Sequence, residues 1–357
     1  MKKLIFSIIT ILAILIIIVV LLPSPISPVA YAPSKPQKLN GVLAPNNLLQ
    51  NSELLALGQI NGPEEVAVDS QGRVYGGTQD GKIMVLTPDG QLDVFAVTHG
   101  RPLGMQFDVN ENLIVCDADK GLLSINPQGK ITVLATTANG IPLKFTDALD
   151  ISSDGVIYFT DASVKYGQNE YLYDLLESKP HGRLLSYNLA TGQIALLLKD
   201  LYFANGVALS HQEDFVLVNE TYRYRIVRYW LKGPKAGTHD IFIDNLPGFP
   251  DNISSNGNGT FWLALFTVRN QVVDNIHAFP FLKKQMSKLP KALWPKPKPY
   301  GLVLAINEQG KVTQSLHDPL AMHLKEITSA REYDGYLYLG SLSNDRIGKY
   351  ELNQDDL

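Results

Sequence analysis

Gly248-Phe249-Pro250-Asp251-Asn252-Ile253-Ser254 sets two oxygen-bearing side chains side by side, just before a strand-like run that turns at Gly259. The same offset recurs along the chain. Glu64 precedes Gly72 by eight residues, Asp147 precedes Gly155 by eight, Asn205 precedes the Glu213-Asp214 turn by eight, and Asp251 precedes Gly259 by eight. Apolar-alternating residues fill each gap: Val66-Ala67-Val68, Ala148-Leu149-Asp150-Ile151, Val207-Ala208-Leu209 and Ile253. Alternation of this kind is the period of a strand. One register therefore places an Asp, Glu or Asn at the mouth of separate repeats, and repeats arranged about an axis would bring those side chains together.

Working outward, each repeat reads as a strand, a Gly-containing turn, a strand rich in β-branched or aromatic residues, a further strand, a turn such as Pro88-Asp89-Gly90, and a last strand. The units span residues 66–97, 105–134, 148–198, 207–243, 253–316 and 328–350, the third and fifth interrupted by insertions near 164–181 and 268–299. This pattern predicts an all-β fold, a six-bladed β-propeller over residues 51–357. The last unit runs out of chain after its third strand, and residues 53–60 are placed to supply the missing one. Helical periodicity between strands is absent, which disfavours a TIM barrel; two stacked β-sandwiches are the alternative.

Before the repeats, Lys2-Lys3 is followed by nineteen uncharged residues, 4–22. At about 1.5 Å per residue that run spans a bilayer core of about 30 Å. Residues 1–22 are thus expected to form a signal anchor, one N-terminal transmembrane helix, with the bulk of the chain outside the cytoplasm. A cleaved signal peptide is the alternative, with Ala30-Tyr31-Ala32 as its cleavage site. Residues 23–50 are Pro-rich and read as a linker. The 357-residue chain carries a net charge of −4 and no basic block, which argues against nucleic acid as a partner. Its single cysteine, Cys116, excludes an intrachain disulfide. The insertion at 268–299 interleaves Phe279-Pro280-Phe281-Leu282 with Lys283-Lys284 and contains Leu293-Trp294-Pro295-Lys296-Pro297-Lys298. It reads either as a lid or bilayer contact or as a surface loop on its own blade.

Glu64, Asn205, Asp251 and Asn252 offer carboxylate and amide oxygens only. Such a set favours a hard cation, and ligands drawn from several loops favour Ca²⁺ over Mg²⁺. No His shares the register, which argues against zinc. A carboxylate beside a bound cation can act as base or nucleophile; Asp147 is the candidate, with Asp251 also at the reacting centre. Turn or strand-start chemistry is the competing account of these Asp and Asn residues. His99, His317 and His323 fall in connecting segments and are weaker candidates. Cys116 lies in a strand pattern and reads as a buried, inert thiol. There is no G-x-S-x-G elbow, P-loop or dinucleotide fingerprint. Asn219-Glu220-Thr221, Asn252-Ile253-Ser254 and Asn258-Gly259-Thr260 fit the glycosylation pattern.

Several stretches resemble the strictosidine synthase-like proteins. They are Ile157-Tyr158-Phe159-Thr160-Asp161, Gly182-Arg183-Leu184-Leu185, Asn205-Gly206-Val207, Glu213-Asp214-Phe215-Val216-Leu217-Val218, Leu246-Pro247-Gly248-Phe249-Pro250-Asp251-Asn252-Ile253 and Ser315-Leu316-His317-Asp318-Pro319. The resemblance covers nearly everything after about residue 50. The wider group it implies includes gluconolactonase, regucalcin, paraoxonase and squid-type diisopropylfluorophosphatase, six-bladed propellers with Ca²⁺ or another divalent ion at the channel mouth. By that resemblance Glu64, Asn205 and Asp251-Asn252 match metal-ligating positions. Thr146 departs from the Asn usual before the Asp that Asp147 matches, and the paraoxonase His pair has no counterpart. Thr328 falls where the true synthase carries its catalytic Glu, so condensation of an amine with an aldehyde is disfavoured. The expectation is an exported, membrane-anchored, Ca²⁺-dependent hydrolase whose substrate is a small-molecule lactone or aryl ester. The alternative is a non-catalytic propeller that binds a partner or glycan around a structural metal.

Overall fold

The computed structural model describes residues 3, 5–7, 10, 11, 18 and 20–352. Its body is a six-bladed propeller of four-stranded antiparallel sheets. The strands nearest the axis are Val66–Val68, Pro102–Phe107, Thr146–Ile151, Ala204–Leu209, Gly248–Ser255 and Ile327–Tyr333, in blades 1 to 6. Each inner strand packs on the next, and blade 6 packs on blade 1. Blade 6 takes its outer strand from the start of the domain: Glu53, Leu54 and Leu55 pair with Lys349, Gly348 and Ile347. The closing segment anticipated at residues 53–60 is therefore the strand Glu53–Leu55.

Neighbouring blades share their cores, and the two-residue period of the strands is what permits it. In the second strand of blade 2, Leu113 and Val115 pack with Ala67 and Tyr75 of blade 1, while Ile114 and Cys116 pack with Leu149 and Phe159 of blade 3. In blade 5, Phe261 and Leu263 join Phe215 and Leu217 of blade 4, and Trp262 and Ala264 join Leu337 and Leu339 of blade 6. Tyr338 and Ile347 then meet Val66 and Val74, completing the circle. Full burial of a large apolar side chain contributes about 1.5–3 kcal/mol, so each interface between blades is a cohesive layer.

Both insertions are helical. Residues 164–181 carry helix α1 (Tyr171–Glu177), and residues 268–299 carry α2 (Gln271–His277) and α3 (Pro280–Ser287). The Asn270 side chain accepts from the Val272 and Val273 amides at the start of α2, and Pro280 opens α3. These are favoured N-terminal chemistries. The Pro-rich segment read as a linker is docked rather than hanging free: its first part runs along this cap, and its second part lies on the outer strand of blade 5. The Val29 amide donates to the Glu177 carbonyl and the Tyr31 amide to the His277 carbonyl, at 3.1 and 2.9 Å. Ile26 is buried with Tyr166, Leu176 and Trp294. The expected transmembrane helix at 1–22 lies largely outside the described residues. Among the described residues no helix is long and apolar enough to cross a membrane.

Candidate metal centre and active site

A β-bulge interrupts the pairing near the start of most inner strands. It falls between Pro102 and Met105, Thr146 and Leu149, Ala204 and Val207, Pro250 and Ile253, and Ile327 and Ser329. Bulges re-aim side chains and locally raise twist. Asp147, Asn205, Asp251 and Asn252 all sit within them. Close packing of the inner strands depends on Gly206: a Cβ there would stand 2.5 Å from the Ile253 nitrogen and 2.6 Å from the Asp251 carbonyl oxygen.

The four mouths meet. Glu64, Asp147, Asn205 and Asp251 line one cavity of about 490 Å³, together with Arg101 and Thr328. Asn252 Nδ2 donates to Glu64 Oε1 at 3.1 Å, and Asn205 favours the ionised form of the Asp251 carboxyl. The Asn252 amide thus spends its nitrogen on a carboxylate. Asn205 Oδ1, Asn252 Oδ1 and Glu64 Oε2 are buried acceptors with no donor, and each such orphan costs about 1–3 kcal/mol. Thr146 Oγ1, next in the chain to Asp147, is a further buried oxygen without a partner.

Burial raises the pKa of Glu64, Asp147 and Asp251 well above the usual carboxylate range, and their mutual repulsion raises them further. Arg101 works in the opposite sense on Glu64 and Asp147. It is itself buried, and its guanidinium donates to the Gly62 carbonyl at 3.1 Å. Among the described residues no three His, Cys, Asp or Glu side chains gather tightly enough to make a metal cage alone. The donor set is therefore mixed, Glu64 and Asp251 with Asn205 and Asn252. Its excess of negative charge and unpartnered oxygens fits a hard divalent cation.

A second layer holds these residues in place, and it was not anticipated from the sequence. Thr160 Oγ1 donates to the Asn205 carbonyl at 2.8 Å, Asn219 Nδ2 to the Asp251 carbonyl at 2.5 Å, and Thr328 Oγ1 to the Glu64 carbonyl at 2.6 Å. Each donor comes from the blade before the residue it holds. In blades 2, 3 and 4 the second strand ends in a matching pair: Cys116-Asp117, Thr160-Asp161 and Asn219-Glu220. The acid of each pair accepts a backbone amide ahead of its own inner strand, from Arg101, Phe145 and Tyr202 at 3.0, 2.7 and 2.8 Å. The residue before the acid reaches the next blade, and Cys116 does so toward the Ala148 carbonyl at 3.4 Å. That repeated small-polar-then-acid ending was the available signal.

Two of the weaker candidates have structural roles. His317 is fully buried, with Nδ1 3.0 Å from the Tyr300 hydroxyl and Nε2 2.9 Å from Ser315 Oγ. Cys116 is fully buried, and burial raises its thiol pKa. Of the three glycosylation patterns, Asn219 and Asn252 are buried within the propeller and only Asn258 is exposed. Beside the acidic mouth lies an apolar cavity of about 200 Å³, lined by Tyr171, Phe203, Tyr222, Phe249 and Phe266 and reaching Asn205 and Asp251. Pro295 and Pro297 of the long insertion form part of its wall.

Two family models match the chain: "Strictosidine synthase" over residues 147–234 and "Strictosidine synthase-like, N-terminal" over residues 41–86. The adipocyte plasma membrane-associated protein of Rattus norvegicus is 37% identical over 353 residues, covering 92% of this chain and 93% of that one. Protein STRICTOSIDINE SYNTHASE-LIKE 3 of Arabidopsis thaliana is 34% identical, covering 86% of each. Among solved structures, a gluconolactonase from Xanthomonas campestris superposes with a TM-score of 0.62 at 15% identity, covering 93% of this chain and 99% of that one. A calcium-binding protein, regucalcin, from Agrobacterium tumefaciens superposes with a TM-score of 0.58 at 13% identity, covering 84% and 93%. At such identities the structural likeness speaks for the propeller fold.

Proposed function

The chain belongs to the strictosidine synthase-like family, and from that premise, joined to its acidic mouth, we propose that it is a Ca²⁺-dependent hydrolase of lactones or aryl esters. The observation that carries the reading is the trio of donorless oxygens, Glu64 Oε2, Asn205 Oδ1 and Asn252 Oδ1, beside Asp147 and Asp251. Glu64, Asn205, Asp251 and Asn252 would hold the ion. When bound, Ca²⁺ supplies polarisation of the ester or lactone carbonyl and a lowered pKa for water at the site.

The chain's own groups do the rest. Asp147, without a hydrogen bond that commits its carboxylate, accepts the proton from the attacking oxygen. Arg101 favours the ionised form of Asp147 and stands beside it in the same cavity. The aromatic cavity lined by Tyr171, Phe203, Tyr222, Phe249 and Phe266 takes the apolar portion of the substrate and excludes water from it. Thr328 supports this reading over a condensing synthase: its hydroxyl is spent on the Glu64 carbonyl and it is no general base. The N-terminal apolar run would tether the hydrolase to a membrane, in keeping with the names of the relatives.

The test is activity on phenyl acetate and a panel of lactones, before and after chelation and after Ca²⁺ is restored. Loss on chelation with recovery on Ca²⁺ is expected. Full activity in chelator removes the metal from the mechanism. A Ca²⁺-dependent melting temperature with no turnover on any substrate points to the non-catalytic propeller.

A further inference from the structure

The long insertion presents a face that the proposed hydrolysis does not use. Phe279, Phe281, Leu282 and Leu293 are 56, 60, 47 and 69% exposed, all within one short stretch of the cap. Lys284, Lys291, Lys296 and Lys298 are exposed among them, and the sequence has no Asp or Glu between Asp274 and Glu308. α3 divides its residues sharply. Phe281, Leu282 and Lys284 face outward, while Lys283 is fully buried and donates to the Val29 carbonyl at 2.6 Å and to Ser178 Oγ at 2.9 Å. A helix built only to cover its own blade would turn its apolar side chains inward; this one buries a lysine and exposes its phenylalanine and leucine.

The N-terminal apolar run ends against the C-terminal end of α3. Lys288 Nζ donates to the Val20 carbonyl at 3.0 Å, and Ser24 Oγ lies 3.2 Å from Ser287 Oγ. Whatever receives residues 4–22 is therefore brought to α3. Protruding aromatic and aliphatic side chains interleaved with lysines form the composition that settles at a lipid–water interface, the rings at headgroup depth and the ammonium groups on anionic lipid.

We infer that the cap formed by residues 279–298 docks on an anionic bilayer, the one that holds the N-terminal run, so that the channel mouth lies close to the lipid surface. This rests on the N-terminal run entering that bilayer and is independent of the hydrolytic chemistry. Pro295 and Pro297 connect the docked face to the wall of the apolar cavity beside Asp251, so docking sets that cavity's entrance near the lipid.

The test uses the full chain in phosphatidylcholine vesicles with and without phosphatidylglycerol, carrying doxyl-labelled lipid. A single environment-sensitive fluorophore is attached at Leu282→Cys, at Leu293→Cys, or at Asn258→Cys in the turn at the far end of the inner strand of blade 5. The buried Cys116 does not compete for label. Labels at 282 and 293 are expected to shift to the blue and lose most of their emission to the quencher, more so with phosphatidylglycerol, while the label at 258 stays unquenched. K284E together with K291E is expected to reverse the gain from phosphatidylglycerol. Vesicle flotation with 282 and 293 as unquenched as 258 overturns the docking and leaves the tether standing. Failure to float overturns tether and docking together, and neither result bears on hydrolysis measured with soluble esters.

Discussion

Asp147, Glu64 and Asp251 are acids that burial and mutual repulsion hold toward the protonated form, so removing one relieves the others. Asp147→Asn should raise the melting temperature of chelator-treated protein and lower turnover by about 10²–10⁴-fold, the usual range for loss of a positioned general base. Calorimetry in chelator and initial rates in Ca²⁺ check the two halves separately; unchanged turnover assigns Asp147 to structure. Asp251→Ala should abolish the rise in melting temperature that a ligand bound only by the folded state confers, and a Ca²⁺ shift retained in that variant excludes Asp251 as a ligand. These residues were legible because the offset of eight from mouth to turn repeats with an oxygen-bearing side chain each time. Arg101 was not, since nothing in Gly100-Arg101-Pro102 marks a buried guanidinium, and its place is fixed only when blades 1 and 2 meet. The second-layer donors Thr160 and Asn219 were obscured for another reason: each reads as an ordinary strand residue until the neighbouring carbonyl is in view.

Elements differ in how far pattern alone exposes them. The turns that follow the inner strands carry Gly at positive φ, as at Gly72, Gly155 and Gly259, and the strand-and-turn unit recurs, so the blades could be counted. The docked course of residues 23–50 could not be read, because a Pro-rich extended chain has no period and its bonds go to distant backbone groups. Lys283 is the joint of that strap, with α3 on one side and Ser178 and Val29 on the other. Lys283→Ala removes both hydrogen bonds, one of them to the buried Ser178 hydroxyl, a local cost of about 1–3 kcal/mol. Hydrogen exchange should then quicken in residues 24–36 and in α2 and α3 while the blade strands keep their protection; uniform quickening would instead make the cap part of the global fold. His317 governs a different joint, between blade 5 and the strap, through Ser315, whose hydroxyl donates to the Val42 carbonyl at 2.6 Å. Burial lowers its pKa from 6.5 to about 4, so as pH falls the unfolded chain takes up the proton first. Stability from neutral His317 is whole above 6.5 and is lost toward 4. His317→Gln has no such loss, and the stability gap between wild type and variant should narrow over that window when melting is followed against pH; a constant gap means the imidazole does not titrate there.

At the scale of the whole molecule, the ring has no covalent closure: the only cysteine is buried and unpaired, and a three-residue strand, Glu53–Leu55, fastens the last blade. Six blades were legible from the repeat, and so was the need for a strand from the N-terminal side, because the final unit is one strand short. The reach of that seam follows from the shared cores. Every blade depends on two neighbours for its apolar layers, so opening one seam exposes faces in blades 1 and 6 together, and each blade loosened in turn uncovers the next. Leu54 pairs with Gly348 and is half-buried against the core that Trp262, Leu337 and Leu339 share. Leu54→Asp sets a carboxylate on that apolar layer and weakens the pairing of the closing strand, at a cost of about 2–3 kcal/mol. Because the cores are continuous, the loss should appear as one cooperative transition at lower denaturant, coincident by tryptophan fluorescence and far-UV circular dichroism. Separate transitions, with Trp262 released before the bulk of the strands, would mean that blades 5 and 6 can part from the ring on their own, and that the acidic mouth survives without the closure that joins Glu64 to Asp251.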